Sequence, residues 1–293
     1  MATPFKMTER DGEVLLSVYK HRFLTVTQIQ RLHFPSMQTA YRRIRLLKTQ
    51  GLLADFTIPN IDEAVITIGR KGLTEIAALL GVEQSELRWS DTKNKPRDYY
   101  FMRHFLAIND FRIQLAIDCD KSGIMLLGFI PDYFGERTKA GGTTKYIKDV
   151  VCDIETSRPE ISHTPDGVFA LERNGKTALF FAEIDRGTEG ISDPEKGVLK
   201  AVRFYAQYLI SGKYQRYADD FKTAQFKGFR TLFVTTSEAR IENIRKVVAD
   251  AEIPAKAKLF VWLTTFEKIN DKGVFAPIWV SSDFRDIRSY RIG

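Results

Sequence analysis

The dipeptide Asn174-Gly175 constrains this chain more than any other pair of residues. It stands between two apolar runs in PDGVFALERNGKTALFFAEID, residues Pro165 to Asp185. Asn-Gly is the strongest short-range hairpin signal, because a two-residue type I′ turn needs positive φ at both central positions. With these two as the turn, Arg173 faces Lys176, and continuing the pairing sets Asp166 opposite Glu183. Cβ atoms of opposed residues lie about 5 Å apart. Asp185, two residues on, shares the face of Glu183. A bulge would shift this register by one.

Like charges facing each other across a ladder repel. A divalent cation removes the conflict: Mg²⁺ takes carboxylate oxygens together with water and phosphate. A metal so held generates hydroxide and neutralises charge during attack on a phosphodiester. Asp166, Glu183 and Asp185 are therefore candidate Mg²⁺ ligands and catalytic groups. In the alternative, Asp166 caps a turn, and Glu183 and Asp185 face solvent or pair with arginines, Arg186 being the nearest in sequence.

The first hundred residues have a different grammar. Thr8 caps TERDGEVLLSVYKHRF, where Val14, Leu15 and Val18 repeat at helical spacing. TVTQIQRLHF again sets a Thr before an apolar pattern. SMQTAYRRIRLLKTQGLL has Ser36 as cap and Gly51 as stop. LLADFTIP and EAVITIG read as strands joined by a turn at NID, and RKGLTEIAALLG as a fourth helix ended by Gly81. Three short helices followed by a hairpin is the order of a winged helix-turn-helix, whose third helix enters the DNA major groove. That helix buries Ala40, Ile44 and Leu47 by spacing. Its other face carries Gln38, Arg42, Arg45 and Thr49, with Thr39, Arg43 and Lys48 beside them. From Ser36 to Gln50 there are four basic residues and no acid. Such a face touches phosphates and base edges, so Gln38, Thr39, Arg42, Arg43, Arg45 and Lys48 are the expected contacts to double-stranded DNA. The plainer alternative is a solvated charge stripe on a bundle.

Glu86–Tyr100 is polar, contains Pro96 and lacks periodicity, as a linker does. Helical spacing returns in FMRHFLAINDFRIQLAIDC, where His104 reads as a packed histidine beside the second domain. FGERTKAGGTTKYIKDV reads as a basic loop. After the hairpin come a helix from about Pro194 to Ser211, a strand FRTLFVTT, a helix SEARIENIRKVVADA capped by Ser237, a strand AKLFVWLTT and a last strand at APIWVSS. His163 reads as a loop histidine, and Tyr205 and Tyr208, at i, i+3 spacing, as core aromatics rather than nucleophiles. The expected fold class is α/β (α+β): a winged helix-turn-helix over residues 1–85, a linker over 86–103 and a mixed-sheet domain over 104–293.

Composition removes several classes. No apolar run is long enough to span a bilayer, and the start of the chain has no signal-peptide pattern. The two cysteines, Cys119 and Cys152, fit neither a disulfide scaffold nor zinc-ligand spacing. A cytoplasmic, DNA-associated protein is expected. The net charge of +7 favours a polyanionic partner. No phosphate-loop or nucleophile-elbow motif occurs.

The run Pro165-Asp166, then Glu183, then Asp185 resembles the PD-(D/E)XK nuclease motif, and the element order is similar to the restriction-endonuclease-like core. In that family the acids bind Mg²⁺ and the last position is lysine. Here it is Asp185, which puts catalysis in question. The resemblance leaves Lys200, on the following helix, or Arg186 as the substitute cation. The chain as a whole also resembles the replication-relaxation family of plasmids, phages and integrative elements. TVTQIQRLHF, TAYRRIRLLKTQGLL, HFLAINDFRIQL, TPDGVFAL with FFAEIDRGTE, and KAVRFYAQYL carry that resemblance over roughly residues 8–235. It implies a DNA-binding protein of a mobile element acting in replication, relaxation or transfer. The alternative within it is a non-enzymatic regulator or accessory factor with a degenerate nuclease fold. A second copy of the chain and the element's replication or transfer proteins are the further candidate partners.

Overall fold

A computed structural model describes residues 5–89, 98–137, 143–152, 160–188, 190–193 and 196–293. The chain divides into two compact units, Met1–Ile113 and Gln114–Gly293.

The first unit runs α1 (Glu9–His21), β1 (Leu24–Thr25), α2 (Val26–His33), α3 (Met37–Thr49), β2 (Leu53–Phe56), β3 (Val65–Ile68), α4 (Gly72–Leu80) and the first half of α5 (Tyr99–Ser122). The caps anticipated in the sequence form. Thr8 and Thr25 close reciprocal capping boxes with Asp11 and Gln28, and Ser36 accepts from the Thr39 amide. Each cap satisfies amides that a helix start leaves orphaned. The expected hairpin of strands gains a partner, because β1 pairs with β3 to make a three-stranded antiparallel sheet in the order β1-β3-β2. Gly81 ends α4 in the left-handed region, at φ 67°.

The division after Ile113 falls inside α5, whereas the polar stretch at 86–103 suggested a boundary before residue 104. Within the first unit the buried Asn109 amide donates to the carbonyls of His21 and Phe23, at 3.2 and 2.7 Å. Gln28 donates to the Leu106 carbonyl at 2.9 Å, and Arg31 pairs with Asp110 at 3.0 Å. These bonds make residues 98–113 part of the first core, and His104 lies on that half of α5. Residues 90–97 of the expected linker, and the Gly141-Gly142 pair, lie outside the described residues.

The second unit continues α5 into β4 (Met125–Pro131), β5 (Gly135–Arg137), β6 (Thr143–Lys145), β7 (Asp149–Val151), β8 (Ile161–His163), β9 (Gly167–Arg173), β10 (Lys176–Ile184), α6 (Gly197–Ser211), α7 (Tyr217–Asp220), β11 (Phe229–Thr235), α8 (Glu238–Asp250), α9 (Ala255–Phe260), β12 (Val261–Thr265), α10 (Phe266–Lys272), β13 (Trp279–Ser281) and β14 (Ser289–Tyr290). Seven strands form a mixed sheet in the order β14-β13-β12-β11-β10-β9-β4, with β10, β11 and β12 mutually parallel. The crossovers are made through α6 and α8. Parts of the stretch read as a basic loop form small two-stranded ribbons, β5 with β6 and β7 with β8.

The hairpin forms in the expected register. Asn174 and Gly175 take φ 52° and 72°, and Arg173 pairs with Lys176. One face of the sheet, with Phe181, Phe229, Phe233 and Leu263, packs against Val202, Phe204, Tyr205 and Tyr208 of α6 and against Ile241, Ile244 and Val248 of α8. Tyr205 and Tyr208 are core aromatics, 2% and 0% exposed. Among the described residues no helix is long and apolar enough to cross a membrane.

Candidate functional site

Helix α3 buries Ala40, Ile44 and Leu47, the stripe that its spacing dictates. Gln38, Arg42, Arg45 and Thr49 lie exposed on the other side, as does Tyr41. The remaining expected DNA contacts are engaged within the first unit. Arg43 turns toward α1, where its Nε donates to Asp11 Oδ1 at 2.6 Å and its Nη2 to Oδ2. Asp11 is fully buried, and its Oδ2 also accepts from the Thr8 amide and hydroxyl, each at 2.7 Å. Burial opposes the Asp11 charge, but the bonds from Arg43 and Thr8 outweigh it and hold the carboxyl below its usual range. Lys48 pairs with Asp55 of β2, and the Thr39 hydroxyl lies 2.9 Å from that of Ser36. Arg10, Arg42, Arg43 and Arg45, with Phe34 and Thr39, line an open groove of about 810 Å³ between the start of α1 and α3.

A second cluster forms at the end of β10. Glu183 is buried, and its Oε1 lies 2.7 Å from His163 Nε2 and accepts from the Tyr205 hydroxyl. His163 belongs to β8 rather than to a loop, and its ring packs 5.4 Å from those of both Phe204 and Tyr205. Burial pushes the Glu183 carboxyl upward against the pull of His163. Burial alone would lower His163, but the carboxylate beside it carries the imidazole above its ordinary range. The two groups therefore titrate as one coupled pair. Burial, then the Glu183 charge, drives the Tyr205 hydroxyl well up.

Asp166 stands just before β9. Its Oδ2 accepts from the Ile184 amide at 2.7 Å, and its amide donates to the Ala182 carbonyl at 3.0 Å. Its charge acts on both Glu183 and His163, raising each. Lys200, on α6, acts on His163 in the opposite sense. These four residues thus share one electrostatic neighbourhood.

Asp185 has other partners. Its Oδ2 accepts from Arg240 Nε at 2.8 Å and from the Thr235 hydroxyl at 2.9 Å. Its Oδ1 accepts from Arg240 Nη2 and from the Gly187 amide, each at 3.0 Å. Four donors on two oxygens leave no lone pair directed at a cation. Arg186 follows, half-buried, at the strand end. Among the described residues no three histidine, cysteine, aspartate or glutamate side chains are arranged to hold a metal ion. As placed, the three carboxylates do not fit a shared Mg²⁺, because Arg240, Thr235 and the Gly187 amide fill both oxygens of Asp185, while Glu183 Oε1 is taken by His163 and Tyr205.

Sequence reasoning did not find Asp11, Tyr205 or Arg240 as partners, and it set His163 aside. The position of His163 three residues before Asp166 was the one signal available. The Arg240 contact crosses 55 residues and has no local signature.

The family model for replication-relaxation proteins matches residues 15–223. The chain belongs to the replication-relaxation family. The matched residues span α3, the β9–β10 hairpin and α6. They stop before β11, so the family match includes Asp185 but neither Thr235 nor Arg240. No curated protein matches the chain.

Proposed function

We propose that this replication-relaxation protein is a double-stranded-DNA-binding factor of a mobile element, with a winged helix-turn-helix as its duplex contact. On this reading α3 lies in the major groove, Arg42 and Arg45 meet phosphate or guanine edges, and Gln38 reads a base. The observation that supports it is the α3 surface, where Gln38, Arg42 and Arg45 are exposed while Arg43 fastens the helix to α1 from behind. Arg43 and Lys48 are then positioning residues rather than contacts. The test is duplex affinity of the full chain. Arg42→Ala with Arg45→Ala weakens it by an order of magnitude or more, whereas unchanged affinity removes α3 as the contact.

The second unit, on the same proposal, is a restriction-endonuclease-like scaffold that does not cut through a three-carboxylate Mg²⁺ centre. What supports this is the four-donor lock on Asp185. The specific observation favouring an enzyme is the buried His163–Glu183–Tyr205 cluster, since shifted titrations gather at functional sites. Incubation with supercoiled plasmid and Mg²⁺ separates the two. The scaffold reading expects intact plasmid, and nicking that disappears in Glu183→Gln would establish the nuclease.

A further inference from the structure

One row of side chains runs across the face of the large sheet that α6 and α8 do not cover. Phe129 pairs with Phe169, Phe169 with Phe180, and Phe180 with Arg230, each in direct register. The first three rings stack at 5.8 and 5.0 Å. The row then reaches the start of the parallel strands and opens toward solvent. There the Arg230 guanidinium lies 4.4 Å from the Phe260 ring and 5.2 Å from Trp262. Trp262 stacks on Tyr290 at 4.8 Å, with 17° between planes, and Arg288, paired with Asp286, lies 5.4 Å from the Tyr290 ring centroid. Two cations and three rings thus form one continuous ladder.

Arg230 is what needs explaining. It is half-buried, and among the described residues no carboxylate pairs with it. Its Nη1 donates only to the Phe229 carbonyl, at 3.1 Å, and its Nε has no acceptor. Burial weakens its hold on the proton. A desolvated guanidinium with an unmatched donor costs stability unless an anion completes it. The aromatic faces beside it compensate only in part. Phe260 and Tyr290 are both partly exposed. An unmatched cation beside partly exposed aromatic rings can take a phosphate and the base next to it, and such a site tolerates any base because every base has a π-face.

We infer that Arg230, Phe260, Trp262 and Tyr290 bind single-stranded nucleic acid, stacking a base on the ladder with its phosphate on Arg230. The site is separate from the Glu183 cluster. Arg230 stands near the start of β11, while Asp185 lies level with Thr235 at its end, a separation on the order of 15 Å along the strand. The inference is also independent of duplex binding by α3.

The experiment uses the full chain carrying Arg42→Ala and Arg45→Ala, so that α3 does not contribute. Fluorescence anisotropy is read with labelled 20-nucleotide thymidine and uridine oligomers. Phe260→Leu with Tyr290→Leu keeps bulk and removes the rings, and should weaken binding of both oligomers roughly 5- to 100-fold. Arg230→Gln should weaken both as well, and Arg230→Lys should recover only part. No binding of either oligomer, or binding indifferent to these changes, overturns the inference. A second readout needs no variant. Ultraviolet cross-linking of iodouridine-substituted oligomer to the unaltered chain should map to Phe260, Trp262 or Tyr290, and adducts confined to residues 1–113 overturn the inference. Failure of the α3 reading would appear instead as unchanged duplex binding in the Arg42→Ala, Arg45→Ala chain, whatever its single-strand binding.

Discussion

Replacing Arg43 with alanine isolates what holds α3 in place. Asp11 has no exposed side-chain surface, while Arg43 keeps a quarter of its own. Removing one partner of a buried, hydrogen-bonded pair costs about 3–5 kcal/mol, because the other charge is left uncompensated. Two features reduce the figure here. Thr8 still donates twice to Asp11 Oδ2, and the opening left by Arg43 admits water. About 2–3 kcal/mol is therefore expected for the first unit. Arg42→Ala, on the exposed side of the same helix, should stay within about 0.5 kcal/mol. Hydrogen exchange read on peptides of α1 and α3 measures this unit apart from the second. The loss should shrink in acid. The Asp11 carboxyl is depressed in the folded state, so its contribution is present above the unfolded value and disappears as pH falls through the folded one. A cost below 0.5 kcal/mol at neutral pH, or one that persists unchanged at pH 2, would refute the reasoning.

Three further outcomes follow from the second unit. Arg240→Ala should cost about 2–4 kcal/mol in denaturant melts, since Asp185 is 5% exposed and loses its bidentate partner; Asp185→Asn in that background should recover part of the loss. His163 and Glu183 are both raised in the folded state, so their contribution is present below their unfolded values and fades as pH climbs through the folded ones. The Tm of this unit should fall as pH rises above about 6.5, the ordinary histidine value, and His163→Gln should flatten that dependence. Gly175→Ala should cost about 1 kcal/mol, because φ 72° in the hairpin turn is left-handed, and an unchanged denaturation midpoint would mean that the turn is not the type I′ form.

What was legible in the sequence was local. Asn174-Gly175 specifies its own turn, and the turn propagates one register down both strands. Thr8, Thr25, Ser36 and Ser237 cap because a hydroxyl three residues ahead of an amide can reach it. Ala40, Ile44 and Leu47 were readable from helical period alone. What escaped was set by contacts between distant segments. Helical spacing sets Arg43 on the flank of the face that carries Arg42 and Arg45, but not where its side chain goes; Asp11, 32 residues earlier, draws it inward. Asp185 reads as a metal ligand because it shares a strand face with Glu183, whereas its neighbours in space are Thr235 and Arg240. A polar stretch suggested where the units part, yet Asn109 and Gln28 tie half of α5 to the first core.

The most direct test of duplex binding by α3 is the dependence of affinity on salt. For the full chain, log K should fall linearly with log salt, with about 0.9 of slope for each phosphate neutralised. If Arg42 and Arg45 each meet a phosphate, their joint replacement by alanine should lower both the affinity and the slope, the latter by about 1.8. A double variant that binds duplex with the slope and affinity of the unaltered chain would contradict the account.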